Sequence, residues 1–499
     1  MKTETRRWAG ILFAAVGTLL SVVIRRSKLL PHTAALCLAA AVAIVAAPNA
    51  LAESGVTNII DGNTVNIAGN YMVGTNGSFN ALIVTNAGVL NVTGDSIVGN
   101  SPLASNNLVS VTGSGSVWSS SGGLNINFAG NSMTIANNGF VSDSIGLIKS
   151  NASVMVTGSG STWSNSSQLT LGVNSHNTSL VIADGAQVFA AWSLIGGGII
   201  GATNNTVLVT GVGASWNLAE FLTISPIGAG TGNNLTITDN GTVKAPSVFV
   251  GASSLSLLTI TNGNLYATNA ASTGSLEARF GAITLNRGTI ITDQLRLTNA
   301  NSVMNFSAGL LRSGASSVSN GVAFAVGDGV QSATLDLLGG THTFADGLML
   351  STNSSLIGSG NIIGSVTNFS IIAPGHSVGT INITGDLTLA DSSWLDMELA
   401  GPGTNDVLDI SGLLAAGGGL KLTLTNGYTG NAGDTFDLFN FGSISGAFSQ
   451  TNLPTLAAGM EWNTGHLYTL GEIRIVPEPG TWALTLAGAG ALWLRRRRR

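Results

Sequence analysis

Asp391, Asp396, Glu398, Asp406 and Asp409 form the densest acidic group in the sequence. Clustered carboxylates can hold calcium or serve as acid and base on a sugar. Their spacing matches neither an EF-hand loop nor a glycine-rich calcium repeat, which favours a solvated charged edge that discourages strand pairing. A polysaccharide lyase or hydrolase also needs a Lys or Arg beside its acids. Between residues 53 and 476 the basic residues are Lys149, Lys244, Arg279, Arg287, Arg296, Arg312, Lys421 and Arg474, scattered singly, with Arg287 and Arg296 only nine residues apart. His176, His342, His376 and His466 are each isolated, which argues against a metal cluster. No Gly-x-Ser-x-Gly stands in a strand-to-helix setting, so a serine-hydrolase elbow is unsupported. No catalytic residue, cofactor or metal ligand is assigned, and the chain reads as a non-enzyme.

What must position these residues is a chain of 499 residues with only 9% charged side chains, 67 glycines and 44% apolar residues. Such a chain is kept soluble by Asn, Ser and Thr, which suits stacked β-structure better than amphipathic helices. Eleven of the 19 basic residues lie at the two ends. From residue 53 to 476 there remain 8 Lys and Arg against 22 Asp and Glu, a balance of −14, which makes nucleic acid a poor partner. The one cysteine, Cys37, lies in the N-terminal apolar segment, so a mature chain has neither disulfide nor thiolate metal site.

Residues 25–52 have the three parts of a secretory signal. These are basic Arg25, Arg26 and Lys28, an apolar core over 34–47, and small residues Ala50 and Ala52 that place cleavage before Glu53. A second apolar stretch, 9–24, lies behind Arg6 and Arg7 and reads either as a twin-arginine-like leader or as an over-extended start with initiation near Val22 or Val23. Export by the Sec or the twin-arginine machinery follows. At the other end, residues 481–494 are mostly apolar and as a helix reach about 21 Å at 1.5 Å per residue. That is short of a hydrocarbon core of roughly 30 Å. Arg495, Arg496, Arg497, Arg498 and Arg499 follow at once and hold this end on the cytoplasmic side. Pro477, Glu478 and Pro479 stand just upstream, where two prolines rule out continued helix or strand and leave an exposed tripeptide for an enzyme to grip. Tripeptide, short apolar helix and arginine cluster together resemble the PEP-CTERM sorting signal. That resemblance implies an exosortase-like membrane enzyme as partner and transient inner-membrane association. It also implies a destination on the outer surface or in the extracellular matrix of a Gram-negative bacterium that makes exopolysaccharide.

The middle of the chain repeats. Val111-Thr112-Gly113-Ser114-Gly115-Ser116-Val117-Trp118 returns ending at Trp163 and again at Trp216, 45 and 53 residues on. Between them a second pattern recurs at 133–141, 180–188 and 235–243, with weaker copies at 82–90 and 258–265. Apolar residues alternate within each unit, and Asn or Asp with Gly supplies the positive φ of a tight bend. Units of 23–27 residues cannot hold a core alone and must stack on their neighbours. The expected fold is all-β, an elongated right-handed parallel β-helix with three short strands per coil and Asn ladders at its turns, flanked by the signal sequence and a short C-terminal transmembrane helix. A β-propeller is the rival, but its blades want four longer antiparallel strands. Trp118, Trp163 and Trp216 are either sugar-stacking platforms or, as favoured by their repetition, packing over a coil edge. The Gly-x-Gly segments are no phosphate loop, because no helix follows them.

The tandem Gly-Ser-x-Trp blocks over 82–265 resemble the repeat shared by autotransporter passengers and PEP-CTERM proteins. Residues 373–475, which include Ala373-Pro374-Gly375-His376-Ser377-Val378-Gly379-Thr380, resemble the closing part of such passengers. No series of alternating ten-residue strands follows Ile475, so a self-translocating passenger is not expected. The anticipated organisation is a leader over 1–52, a tandem-repeat β-helix over 53–270 and altered repeats over 271–372. A closing β region over 373–475 and the sorting signal over 476–499 complete it. The function expected is a non-enzymatic surface or matrix protein associated with exopolysaccharide, adhesion or biofilm. A carbohydrate-active enzyme on the same scaffold is the alternative.

Overall fold

The computed structural model describes residues 54–198, 201–252 and 254–478. Among these residues there is no helix, and the strands wind into a parallel β-solenoid of about 15 turns. At about 4.8 Å per turn the stack is about 70 Å long. The signal segment with Ala50, Ala52 and Glu53, and the tail from Pro479 to Arg499, lie outside the described residues.

The turns build three faces, the second and third sometimes from one long strand, as in Phe140–Ile148. The first face is an eleven-stranded parallel sheet running from Thr57–Asp61 to Val303–Phe306. Partners on it are 21 residues apart from Ser132 to Ser153 and 28 apart from Thr206 to Asn234, so loops absorb the variation while the register holds. Alternation along each strand sends one set of side chains inward. Leu82, Val109, Met133, Val154, Leu180, Val207, Leu235 and Leu258 therefore stack in one buried column. A similar column on the third face runs Val73, Val98, Ile126, Ile148, Leu171, Ile195, Ile224, Val250.

The second face explains why the sequence repeats over two turns. Its inner column reads Trp118, Val141, Trp163, Val188, Trp216, Val243, each directly over the last. All six side chains are buried, the three indoles completely. Large and small residues alternate because three indoles on successive rungs would overfill a core that has room for one every other turn. The tryptophans thus pack inside the solenoid, not over a coil edge, and their rings are closed to sugar.

The turns between first and second strands alternate in step with the indoles. In the tryptophan turns, glycines take the left-handed region twice, as at Gly158 (φ 86°) and Gly160 (φ 80°). A Cβ on Gly160 would stand 2.0 Å from Asn138 Oδ1 of the turn below. The intervening turns place two successive left-handed residues, such as Asn137 and Asn138 or Asp239 and Asn240, the types that tolerate that backbone best. On the inner side of the strand ahead, Asn80, Asn107 and Asn131 form a buried ladder. Asn107 Oδ1 accepts from Asn80 N (2.9 Å) and Nδ2 (3.0 Å), and Asn131 Oδ1 does the same for Asn107 (2.8 and 3.0 Å). Ala152 interrupts the ladder, and Thr178, Asn205 and Asn233 resume it. Each amide satisfies a backbone N–H that a buried corner would otherwise leave without a partner.

Beyond residue 285 the repeat consensus fades but the stacking does not. Leu311, Leu335, Leu356, Ile372, Leu395 and Leu420 extend the second inner column. Gln450–Asn452 makes the last pairing on that face. A three-stranded antiparallel sheet of Thr435–Asp437, Glu472–Pro477 and Met460–Asn463 follows. Phe439, Phe448 and Tyr468, with ring centroids 5.9 and 6.0 Å apart in sequence, lie beside it. Pro477 is the last residue of its strand, contrary to the reading that it cannot continue one. It pairs with Met460 on one side only, beyond the reach of Thr435–Asp437, so the missing N–H removes no ladder bond.

Candidate functional site

The acidic group is divided among separate structural tasks. Asp396 lies on the outer face of Trp394–Gly401, in register with Lys421, and its Oδ2 receives Lys421 Nζ at 2.7 Å. Asp406 is buried and accepts from Gly379 N at 2.7 Å and Glu398 N at 2.6 Å. Burial pushes its carboxyl up to about 7, the two N–H donors pull against that, and the Glu398 and Asp396 charges add to the rise. Asp391 and Asp409 are exposed, with Asp409 between Asn382 and Asn440 on the neighbouring turns. No set of three or more His, Cys, Asp or Glu among the described residues is arranged to hold a metal ion.

The histidines separate in the same way, with one exception. His176 and His466 are exposed and apart. His342 is fully buried, with Nδ1 3.0 Å from Ser316 Oγ and Nε2 2.8 Å from Gly339 O, and burial lowers its pKa. His376 lies in the loop that begins Pro374-Gly375. Gly375 bridges back to Gly358, with N–H to O distances of 2.6 and 3.1 Å, and this folds the loop over the preceding turns. His376 Nε2 thereby comes within 2.9 Å of Asp336 Oδ1, while Arg312 Nε meets Asp336 Oδ2 at 2.7 Å. Asp336 is almost wholly covered, whereas the His376 side chain is 52% exposed. Arg312 stacks directly on Asp336 in the second face, a pairing that scattered positions in sequence did not reveal. Arg287 instead contacts Gln331, and Arg296 pairs in register with Glu277 and Ser317, so these two arginines share no site.

A further buried carboxylate points into the core. Asp143 points inward, and its Oδ2 accepts from Trp163 Nε1 at 2.7 Å. Burial pushes its carboxyl up to about 7, which the indole donor only partly opposes. Trp118 and Trp216 have no such acceptor among the described residues.

The outer surface also carries a groove at the corner between the second and third faces. Its floor is made of small residues, Ala190 and Ala191 on one turn, Ala219 beside Leu218 on the next, then Ala245 and Pro246. One lip is the outward column Phe189, Asn217, Lys244, Tyr266. Lys244 Nζ sits 5.8 Å from the Tyr266 ring centroid. On the third face, Trp192 and Phe221 stack on adjacent rungs with centroids 5.5 Å apart and planes 15° apart. At the far end the connection after Ala267 lengthens into a loop that Asp293 pins, its Oδ2 accepting from Asn269 N (3.0 Å) and Gly274 N (2.8 Å). Sequence reading missed this groove because Phe189, Lys244 and Tyr266 fall just outside the recurrent motifs.

Of the tail, only Val476, Pro477 and Glu478 are described. Pro477 and Glu478 are exposed, and Glu478 N donates to Gly459 O at 2.8 Å. They stand at the rim of the closing sheet. Comparison with protein-family models finds no match for this sequence, and comparison with curated proteins finds none either.

Proposed function

We propose that this chain is a non-enzymatic, exported surface or matrix protein, a right-handed β-helix delivered through a cleaved N-terminal signal and a C-terminal sorting tail. The observation that carries the reading is the position of Pro477 and Glu478, exposed where the closing sheet ends. An exosortase-like enzyme could grip the Pro-Glu-Pro tripeptide there and remove the short apolar helix and arginine cluster without unfolding a single turn. The outer membrane surface or extracellular matrix of a Gram-negative cell is the destination, and exopolysaccharide is the partner. The charge balance of −14 keeps nucleic acid away.

A carbohydrate-active enzyme is the second reading, and the Arg312–Asp336–His376 cluster favours it, since a half-exposed imidazole against a buried carboxylate is a workable acid or base. Incubating the mature protein with the polysaccharide of its own cells separates the two. Retention of the polymer at unchanged length is the expected result. Shortening of the polymer that disappears in His376→Ala, or in Arg287→Ala or Asp396→Asn, would establish the enzyme instead.

A further inference from the structure

We infer that the outer face of the eleven-stranded sheet is a self-association surface, on which a second copy of this chain packs face to face about a two-fold axis running along the central strand, Ser179–Ala183. The pairing does not depend on how the chain is sorted.

Charge and size fit this face for a protein partner. Among the described residues, its eleven strands contain one charged side chain, Asp61 at the end of the first. A chain whose balance from residue 53 to 476 is −14 thus presents a neutral face on which two copies can meet without opposing charges. Leu108, Met155, Leu257 and Val303 stand on it, each more than 40% exposed. Single exposed apolar residues are ordinary, but a run of them on a flat uncharged face is the mark of an interaction surface. Eleven strands about 4.8 Å apart and about five residues long give a face of about 50 Å by 16 Å, or about 800 Å². A stable interface takes about 800 Å² from each partner, so this face is large enough by itself.

What selects a second copy of this chain over another partner is the order of residues along the stack. Counted from Thr57–Asp61, Ser179–Ala183 is the sixth of the eleven strands. One outward column carries Ala81 and Leu108 on the second and third strands and Leu257 and Ala282 on the ninth and tenth. The next carries Thr134, Met155, Val181, Leu208 and Thr236 on the fourth to eighth. Each of these residues has a mate of the same character at the same distance beyond the sixth strand, where Val181 is its own mate. An axis along that strand reverses the stack and keeps each column over itself. In the pair, Leu108 therefore opposes Leu257 of the second copy, Met155 opposes Leu208, and Val181 opposes Val181. This is the self-complementarity that an isologous two-fold interface requires, with aligned sheets about 10 Å apart. Exposed Leu103 and Leu255 stand in the connections that enter the third and ninth strands, which are mates as well. Ile59 and Val303, on the first and eleventh strands, oppose Asn305 and Thr57 and mark the rim. Because the stacks run oppositely, the two C-terminal ends lie at opposite ends of the pair, which suits copies released from the membrane.

The test is sedimentation velocity and cross-linking of the protein purified from its host. A dimer is expected at about 50 µM, above the micromolar end of the affinity range for interfaces of this size. Met155→Asp should weaken it about tenfold or more, because an unpaired charge would be buried against Leu208 of the second copy. Phe140→Asp, an exposed position on the second face, should leave it unchanged. Cysteines read the register, since the chain's own Cys37 precedes residue 53. A bismaleimide of about 10 Å reach, the separation of packed sheets, should join Val181→Cys to itself. Leu108→Cys alone and Leu257→Cys alone should not be joined, because like positions lie six strands apart, about 30 Å. Mixed together, they should be. The same far-ultraviolet circular dichroism in variants and parent would show that the fold is intact. A monomer, a dimer indifferent to Met155→Asp, or Leu108→Cys joined to itself as readily as Val181→Cys would overturn the inference. A protein that pairs in this register yet keeps its arginine tail removes the sorting and leaves the pairing.

Discussion

Trp163→Ala is expected to destabilise the solenoid by about 3–5 kcal/mol, the range for truncating a large buried aromatic. The indole lies with no exposure between Val141 below and Val188 above. Neither valine can reach into the space, because each is fixed by its own strand and already fills its rung. The loss should fall at the upper end of the range, since the variant also strips Asp143 of the one side-chain donor it has among the described residues. Trp118→Ala and Trp216→Ala leave comparable cavities but no stranded carboxylate, so they should cost less than Trp163→Ala at pH 8. Urea unfolding followed by far-ultraviolet circular dichroism measures all three. Because stacked turns can unfold in parts, the comparison is between midpoints of the same transition. A cost below about 1 kcal/mol for Trp163→Ala would contradict the interior placement of the indoles.

Asp143→Asn should stabilise the protein at pH 8 and have little effect near pH 4. The folded carboxyl is pushed up to about 7 from an ordinary value of 3.8, chiefly by burial. A raised carboxyl means that the folded chain holds its proton more tightly than the unfolded chain does. The contribution of this group is therefore full below about pH 4, declines as pH rises through the folded value, and stays lost above it. A rise of about three units corresponds to about 4 kcal/mol as an upper bound. Asparagine keeps an acceptor for Trp163 Nε1 and carries no charge to desolvate, so the variant lacks that decline. Asp406 shifts in the same direction and to the same value, so the melting temperature of Asp143→Asn should still fall between pH 4 and pH 8, less steeply than that of the parent. A variant less stable than the parent at pH 8 would contradict the account of this site.

The parts of this structure that were legible from sequence are those with local periodicity. Alternating apolar residues gave the strands, the Asn and Gly turns gave the bends, and the return of Trp118 at Trp163 and Trp216 gave a repeat of two units. That these indoles share a column with Val141, Val188 and Val243 is a matter of register across turns of unequal length. The sequence pattern contains both sets but does not say that they stack. Asp336 and His376 escaped for a different reason, since the loop after Pro374 folds back across a whole turn, and a backward contact leaves no period to detect. The stacked pair of Trp192 and Phe221 could have been found by placing the two residues one turn apart. Pro477 shows the limit of a residue-type rule, because a proline breaks a ladder only where its N–H was needed.

The delivery of the solenoid to the surface is tested most directly by the intact mass of the protein recovered from its own cells. A mass that begins at Glu53 and lacks Arg495 to Arg499 is predicted by a cleaved signal and a sorting tail removed after recognition of Pro477, Glu478 and Pro479. A mass that retains the five arginines would contradict it and make the C-terminus a simple anchor.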